Sequence, residues 1–162
     1  MNRYKNDSGE ERTYSISNSN NFHFSNNKKK IYAINNSYSY DNDIKILIQN
    51  LNTQKYNHRW IGSMVADCHQ ILVNGGIFMF PPCIEYPQGK LNFLIQIIPL
   101  CFIFKAVGGV GLNYNFKPIL DDFKDYNLIN SNCLKLSNVI LCSENEYKNI
   151  TNILDIQENL RC

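Results

Sequence analysis

Apolar residues along this chain follow two rhythms. Short, nearly continuous apolar runs at Ile31 to Ile34, Ile77 to Phe80 and Asn138 to Leu141 read as buried strands. Between them the spacing lengthens to that of a helix. Ile44, Leu47, Ile48 and Leu51 mark a helix within Asp43 to Leu51. Met64, Val65, Cys68, Ile71 and Leu72 mark one face of a second helix, with Ser63 as its cap and Asn74, Gly75 and Gly76 as its stop.

Beyond "IFMF" the chain meets Pro81 and Pro82, turns at "YPQG" and enters an apolar run, Lys90 to Ile98, which predicts a further strand. Pro99 suits the first turn of a helix that runs to Val107 and is closed by Gly108 and Gly109. In "SENE", Ser143 and Glu146 have capping-box spacing ahead of Tyr147, Ile150, Ile153 and Leu154. Strands and helices interleave, which predicts a layered α/β domain.

The polar tract before this pattern changes the domain count little. Residues 1–29 are Ser- and Asn-rich, too poor in apolar surface to offset their ordering entropy, and are expected to lack order; residues 30–162 form one domain. A hydrophobic fraction of 44% in 162 residues suits one sizeable core. The net charge of +2 comes from scattered Lys and Arg, and Lys28 to Lys30 reads as a solvated strand entrance. Neither a nucleic-acid partner nor a membrane anchor is expected. The longest apolar stretch, Leu91 to Val110, is broken by Asn92, Gln96, Pro99 and Lys105 and does not read as a membrane span.

Six cysteines without C-x-x-C spacing, behind a polar amino terminus, fit a reducing cytoplasm. His23, His58 and His69 are dispersed and do not suggest a zinc site. Cys68 beside His69 is expected to be a core thiol with a surface imidazole, since adjacent helical residues point apart. The acidic loop "DDFKD", Asp121 to Asp125, reads as solvated.

"GSM", Gly62 to Met64, offers free backbone N–H groups and the positive end of a helix dipole, which suits an anionic or polyhydroxyl ligand. Together with "IYAIN..Y", "RWIGSMVADCHQILVNGGIFMFPP", "PQGKL", "GG" and "VIL", in that order, it resembles the carboxy-terminal portion of class I fructose-1,6-bisphosphatases, more closely than the sedoheptulose enzymes. The resemblance runs from Lys30 to about Asp155 and is strongest from Arg59 to Leu91. It implies the carboxy-terminal half of the sugar phosphatase fold, gripping the sugar and its 6-phosphate.

By that resemblance Asn35 and Tyr38 are phosphate ligands and Lys90 neutralises the same phosphate. Gly62, Ser63 and Met64 line the sugar, and Arg59 reaches the site of a neighbouring subunit. The chemistry is apt, because Lys and Arg supply charge while Asn and Tyr supply aimed donors. The partners implied are a sugar phosphate and either a second copy or a complete subunit.

The chain also departs from the family's pattern. Trp60 and Phe80 stand where the family has tyrosines that donate to the 6-phosphate, and Asn92 replaces an arginine. If each lost donor costs about 1.5 to 3 kcal/mol, phosphate binding weakens by roughly a hundredfold to ten-thousandfold. Gln96 replaces a metal-binding glutamate, and the family's Asp-Pro-Leu-Asp-Gly stretch has no counterpart. Family members use magnesium, which needs several converging carboxylates; none is expected to bind this chain alone, and no catalytic residue is assigned. The chain is expected to be a fructose-1,6-bisphosphatase-like protein inactive by itself, or else a non-catalytic sugar-phosphate or subunit-binding module or a truncated gene product.

Overall fold

Strands that are apolar on both faces must be covered on both faces, and the elements are arranged to do so. The computed structural model describes residues 2–5, 11–14, 24, 29–35, 39–122 and 135–161. The first elements are β1 (Asn2–Lys5), β2 (Glu11–Tyr14), β3 (Ile31–Ile34), α1 (Asn42–Thr53), β4 (Asn57–His58), α2 (Met64–Asn74) and β5 (Ile77–Phe80). After these come β6 (Leu91–Asn92), a π-helical turn (Phe93–Ile97), α3 (Ile98–Ala106), β7 (Gly109–Leu112), α4 (Ile119–Asp122), β8 (Leu136–Ser137), β9 (Val139–Ser143) and α5 (Glu144–Arg161).

Five strands make the central sheet in the order β4-β3-β5-β9-β7. β3 runs parallel to β4 and β5, whereas β9 is antiparallel to β5 and β7. The two-residue side-chain period of a strand divides the core in two. Ile31, Ala33, Phe78, Val139 and Leu141 pack with Cys68 and Ile71 of α2 and Cys101 and Phe104 of α3 on one face. Tyr32, Ile34, Ile77, Met79, Ile140 and Cys142 pack with Ile44, Leu47 and Leu51 of α1 and Ile150 and Ile153 of α5 on the other. The layered α/β architecture expected from the sequence is therefore present, with the sheet between two helical layers.

Local chemistry fixes the helix ends. Asp41 accepts the Ile44 N–H at 3.2 Å to start α1, and Ser143 Oγ accepts the Glu146 N–H at 3.3 Å to start α5. Glu146 is nevertheless not the return partner of a capping box. It is buried, and its carboxylate accepts the Tyr56 hydroxyl at 2.6 Å, tying the segment after α1 to α5. Burial, then the Glu146 hydrogen bond and charge, push the Tyr56 hydroxyl well above its usual range.

Several expectations need correction. The run Lys90 to Ile98 is not one strand: β6 stops at Asn92, whose Oδ1 accepts the Ile95 N–H at 3.0 Å and begins the π-helical turn. Pro99 sits in the first turn of α3 and has no N–H to donate backwards; the preceding turn is wide, with the Ile98 N–H reaching Phe93 O. Ser63 occupies the N-cap position of α2, but its side chain makes no cap hydrogen bond. Val65 is 69% exposed and Asp67 is fully buried, so the apolar face of α2 is narrower than the spacing suggested. "GVGL" after α3 is a strand, and the last strand is shifted to Val139–Ser143.

Among the described residues of the amino-terminal tract, β1 and β2 pair antiparallel, and the Phe24 ring centroid lies 5.7 Å from that of Phe104. In the acidic loop α4 extends to Asp122, and residues 123–125 lie outside the described residues. No helix among the described residues is long and apolar enough to cross a membrane.

Gly111 shows how closely α3 approaches the sheet: a Cβ there would stand 2.2 Å from Cys101 Sγ. We predict that Gly111→Ala destabilises the domain by about 1 to 3 kcal/mol in urea unfolding, through overpacking. Combining it with Cys101→Ala should give a loss smaller than the sum of the two single losses. Additive losses would show that this contact does not limit the packing.

Candidate functional site

In the parallel part of the sheet, β3, β4 and β5 all end on the same side, where ligand crevices form in open α/β sheets. The connections from these strands diverge, with α1 covering one face and α2 the other. A cleft of about 680 Å³ opens there. Asn35 directly after β3, Trp60 after β4 and Phe80 at the end of β5 line it, together with Gly62 and Met64 at the start of α2.

The rest of the lining comes from the turn between β5 and β6 and from the π-helical turn. Cys83 and Tyr86 close the first turn through a backbone bridge, and the Gly89 N–H donates to Tyr86 O at 2.9 Å. Gly89 has φ +94, and a Cβ there would stand 2.2 Å from Ser137 O, so only glycine lets β8 approach the segment that carries Lys90. Lys90 is exposed, lines the cleft and places Nζ 4.9 Å from the centroid of the Tyr86 ring, a cation–π distance.

Of the residues singled out in the sequence, Asn35, Gly62, Met64 and Lys90 thus line one cleft. Asn35 is oriented by Tyr40, whose hydroxyl donates to its Oδ1 at 2.8 Å and also contacts its backbone carbonyl. Arg59 and Ser63 do not line the cleft; both are exposed, and the Arg59 backbone N–H continues the sheet by donating to Tyr32 O at 2.9 Å. Tyr38 lies outside the described residues.

Trp60 and Phe80 form an aromatic wall. Their ring centroids are 6.2 Å apart, and Phe78 backs Trp60 at 6.4 Å from within the core. Gln96 also lines the cleft, but its Oε1 accepts the Asn92 N–H at 2.7 Å. A neutral carboxamide oxygen engaged in closing its own turn does not fit a magnesium ligand, a role that suits carboxylate oxygens. Among the described residues no three His, Cys, Asp or Glu stand together as a metal-binding group.

Two carboxylates in this region, Asp67 and Glu85, were not singled out as site residues. Asp67 accepts the Ile61 N–H at 3.0 Å through Oδ1, holding the Trp60–Ser63 loop against α2, while its buried Oδ2 has no hydrogen-bond partner. Glu85 lines the cleft and accepts the Ser39 hydroxyl at 2.7 Å; that hydrogen bond chiefly holds its carboxyl below the usual range. Glu85 and Lys90 flank the turn that contains "YPQG", and both line the cleft. Cys68 is buried and His69 exposed, as their helical positions required; burial first, then the Asp67 charge, pushes the Cys68 thiol up to about 12.

Comparison with known proteins assigns this arrangement. Residues 25–154 match the family described as fructose-1-6-bisphosphatase, C-terminal domain. The class 1 fructose-1,6-bisphosphatase of Sulfurihydrogenibium sp. (strain YO3AOP1) is 41% identical over 86 residues, covering 51% of this chain and 27% of that protein. Fructose-1,6-bisphosphatase 1 of Rattus norvegicus is 40% identical over 101 residues, covering 58% of this chain and 28% of that protein. The crystal structure of Leishmania major fructose-1,6-bisphosphatase in its T-state superposes with a TM-score of 0.69 at 28% identity, covering 83% of this chain and 40% of that one. The chain therefore spans well under half the length of these relatives. With most of its residues matched and the fold shared, the chain belongs to the fructose-1,6-bisphosphatase family through that family's C-terminal domain.

Proposed function

We propose that this chain is the sugar-phosphate-binding portion of a fructose-1,6-bisphosphatase-type hydrolase of carbohydrate metabolism, acting in the cytoplasm, and that it does not release phosphate by itself. The convergence of Asn35, Gly62, Met64 and Lys90 on one cleft carries this reading. Lys90 supplies a cation for the phosphate, Asn35 a carboxamide fixed by Tyr40, and the start of α2 its backbone dipole. Gln96, neutral and engaged with Asn92, supports the absence of hydrolysis by this chain alone.

A partner fits the distribution of apolar surface. Ile97, Ile98 and Phe104 turn into the core, whereas Ile95, Phe102 and Ile103 are 65%, 52% and 48% exposed. A second copy or a complete subunit covering this face would remove that surface from water.

Titration calorimetry should show fructose 6-phosphate binding that Lys90→Ala weakens by about tenfold to a hundredfold, the effect of losing a charged donor. Equal affinities would leave Lys90 as a surface residue. With fructose 1,6-bisphosphate and magnesium, the purified chain should release no phosphate above background, and Gln96→Glu should not restore release. Turnover abolished by EDTA would overturn that part of the reading. Sedimentation over a concentration series should show self-association; a monomer at high concentration that binds no hydrophobic dye would contradict it.

A further inference from the structure

A carboxylate shut away from water costs free energy that only good hydrogen bonding recovers. Two carboxylates are buried among the described residues. Glu146 accepts the Tyr56 hydroxyl on the α5 side of the sheet. Asp67, in the first turn of α2, is fully buried, and its side chain makes one hydrogen bond, accepting the Ile61 N–H at 3.0 Å through Oδ1. Oδ2 has no partner. An apolar side chain would occupy this place at lower cost to the fold, so the carboxylate is explained by the Ile61 contact and not by core stability.

That contact lies one residue before the cleft. Gly62, with φ +85, follows Ile61, and both Gly62 and Met64 line the site. Trp60 anchors one end of this loop by packing against the core, and at the other end the Asp67 N–H donates to Ser63 O at 2.8 Å in the opening turn of α2. Between the anchors little else holds the chain. Ile61 is 60% exposed, so its side chain does not pin it, and Ser63, at the N-cap position, makes no side-chain cap hydrogen bond. The Asp67 side chain is thus the polar tether of the segment that presents Gly62 and Met64. A ligand that meets an untethered loop must supply the free energy of ordering it.

We propose that Asp67 is a positioning residue of the sugar site: without touching the ligand, it holds the Ile61–Gly62 backbone in the shape that binds, and it does so as a hydrogen-bond acceptor, its charge being dispensable. The inference rests on the sugar-site reading of the cleft and adds to it the group that preorganises the backbone.

Amide hydrogen exchange and calorimetric titration with fructose 6-phosphate on the parent chain, Asp67→Ala and Asp67→Asn test this. In the parent the Ile61 amide should exchange at least about tenfold more slowly than a free amide, although its side chain faces solvent. Asp67→Ala should lose that protection and bind about tenfold more weakly, with the amides of β5 and β9 still protected. Asp67→Asn keeps an acceptor for the Ile61 N–H and should stay within about threefold of the parent affinity. Free exchange of Ile61 in the parent, a folded Asp67→Ala chain with parental affinity, or a folded Asp67→Asn chain that binds more than about tenfold more weakly would each overturn the proposal and leave the sugar-site reading standing. If Asp67→Ala does not fold, parental Ile61 exchange and the Asp67→Asn affinity decide. A parent that binds no fructose 6-phosphate would overturn both.

Discussion

The fold depends on one constraint, the burial of the central sheet on both faces. β3, β5 and β9 have no polar face to offer water, so helices must cover each side. α1 and α5 close one side, and α2, the π-helical turn and α3 close the other. On β7, Gly109 and Gly111 point toward the α3 side, where added Cβ atoms would meet Phe24 and Cys101 within 2.5 and 2.2 Å. Glycine there lets a helix lie close against an edge strand, while Leu112 and Val110 still pack on the opposite face.

The cleft follows from that arrangement. Because α1 and α2 leave the parallel strands toward opposite faces, the carboxyl ends of β3, β4 and β5 border the cleft. Four chain segments then supply the lining: Asn35 after β3, the loop from Trp60 into α2, the connection from β5 to β6, and the π-helical turn. Buried Asp67 pins the loop before α2, Gly89 pins the turn that presents Lys90, and the Asn92–Gln96 pair fixes the π-helical turn. These positioning contacts use polar groups near or below the surface; the aromatic wall of Trp60 and Phe80 rests on the core itself.

Much of this was legible in the sequence, for physical reasons that also explain the rest. "IYAI" and "IFMF" lack a polar alternation, and both proved to be strands buried on two faces. The α1 spacing and the Ser143 cap were visible because both depend on residues four or fewer apart. "LNFLIQII" was read as a strand because an apolar run carries no period; the helical outcome is set by Asn92 capping and by Pro99. Gly108 stops α3 as its position suggested, whereas the strand β7 that follows was not legible, because Gly111 serves a contact with Cys101 that only tertiary structure reveals. At the site, family resemblance pointed to Asn35, Gly62, Met64 and Lys90, whereas Glu85 became visible only once the fold placed its turn over the same cleft.

Mapping of backbone and indole amide shifts by two-dimensional NMR, during titration with fructose 6-phosphate, tests the central claim most directly. The account predicts saturable shifts concentrated at Asn35, Gly62, Met64, Lys90 and the Trp60 indole, with the α5 residues unmoved. Shifts centred instead on the groove beside Gly108–Gly111 and Tyr147, or no saturable shifts at all, would contradict it.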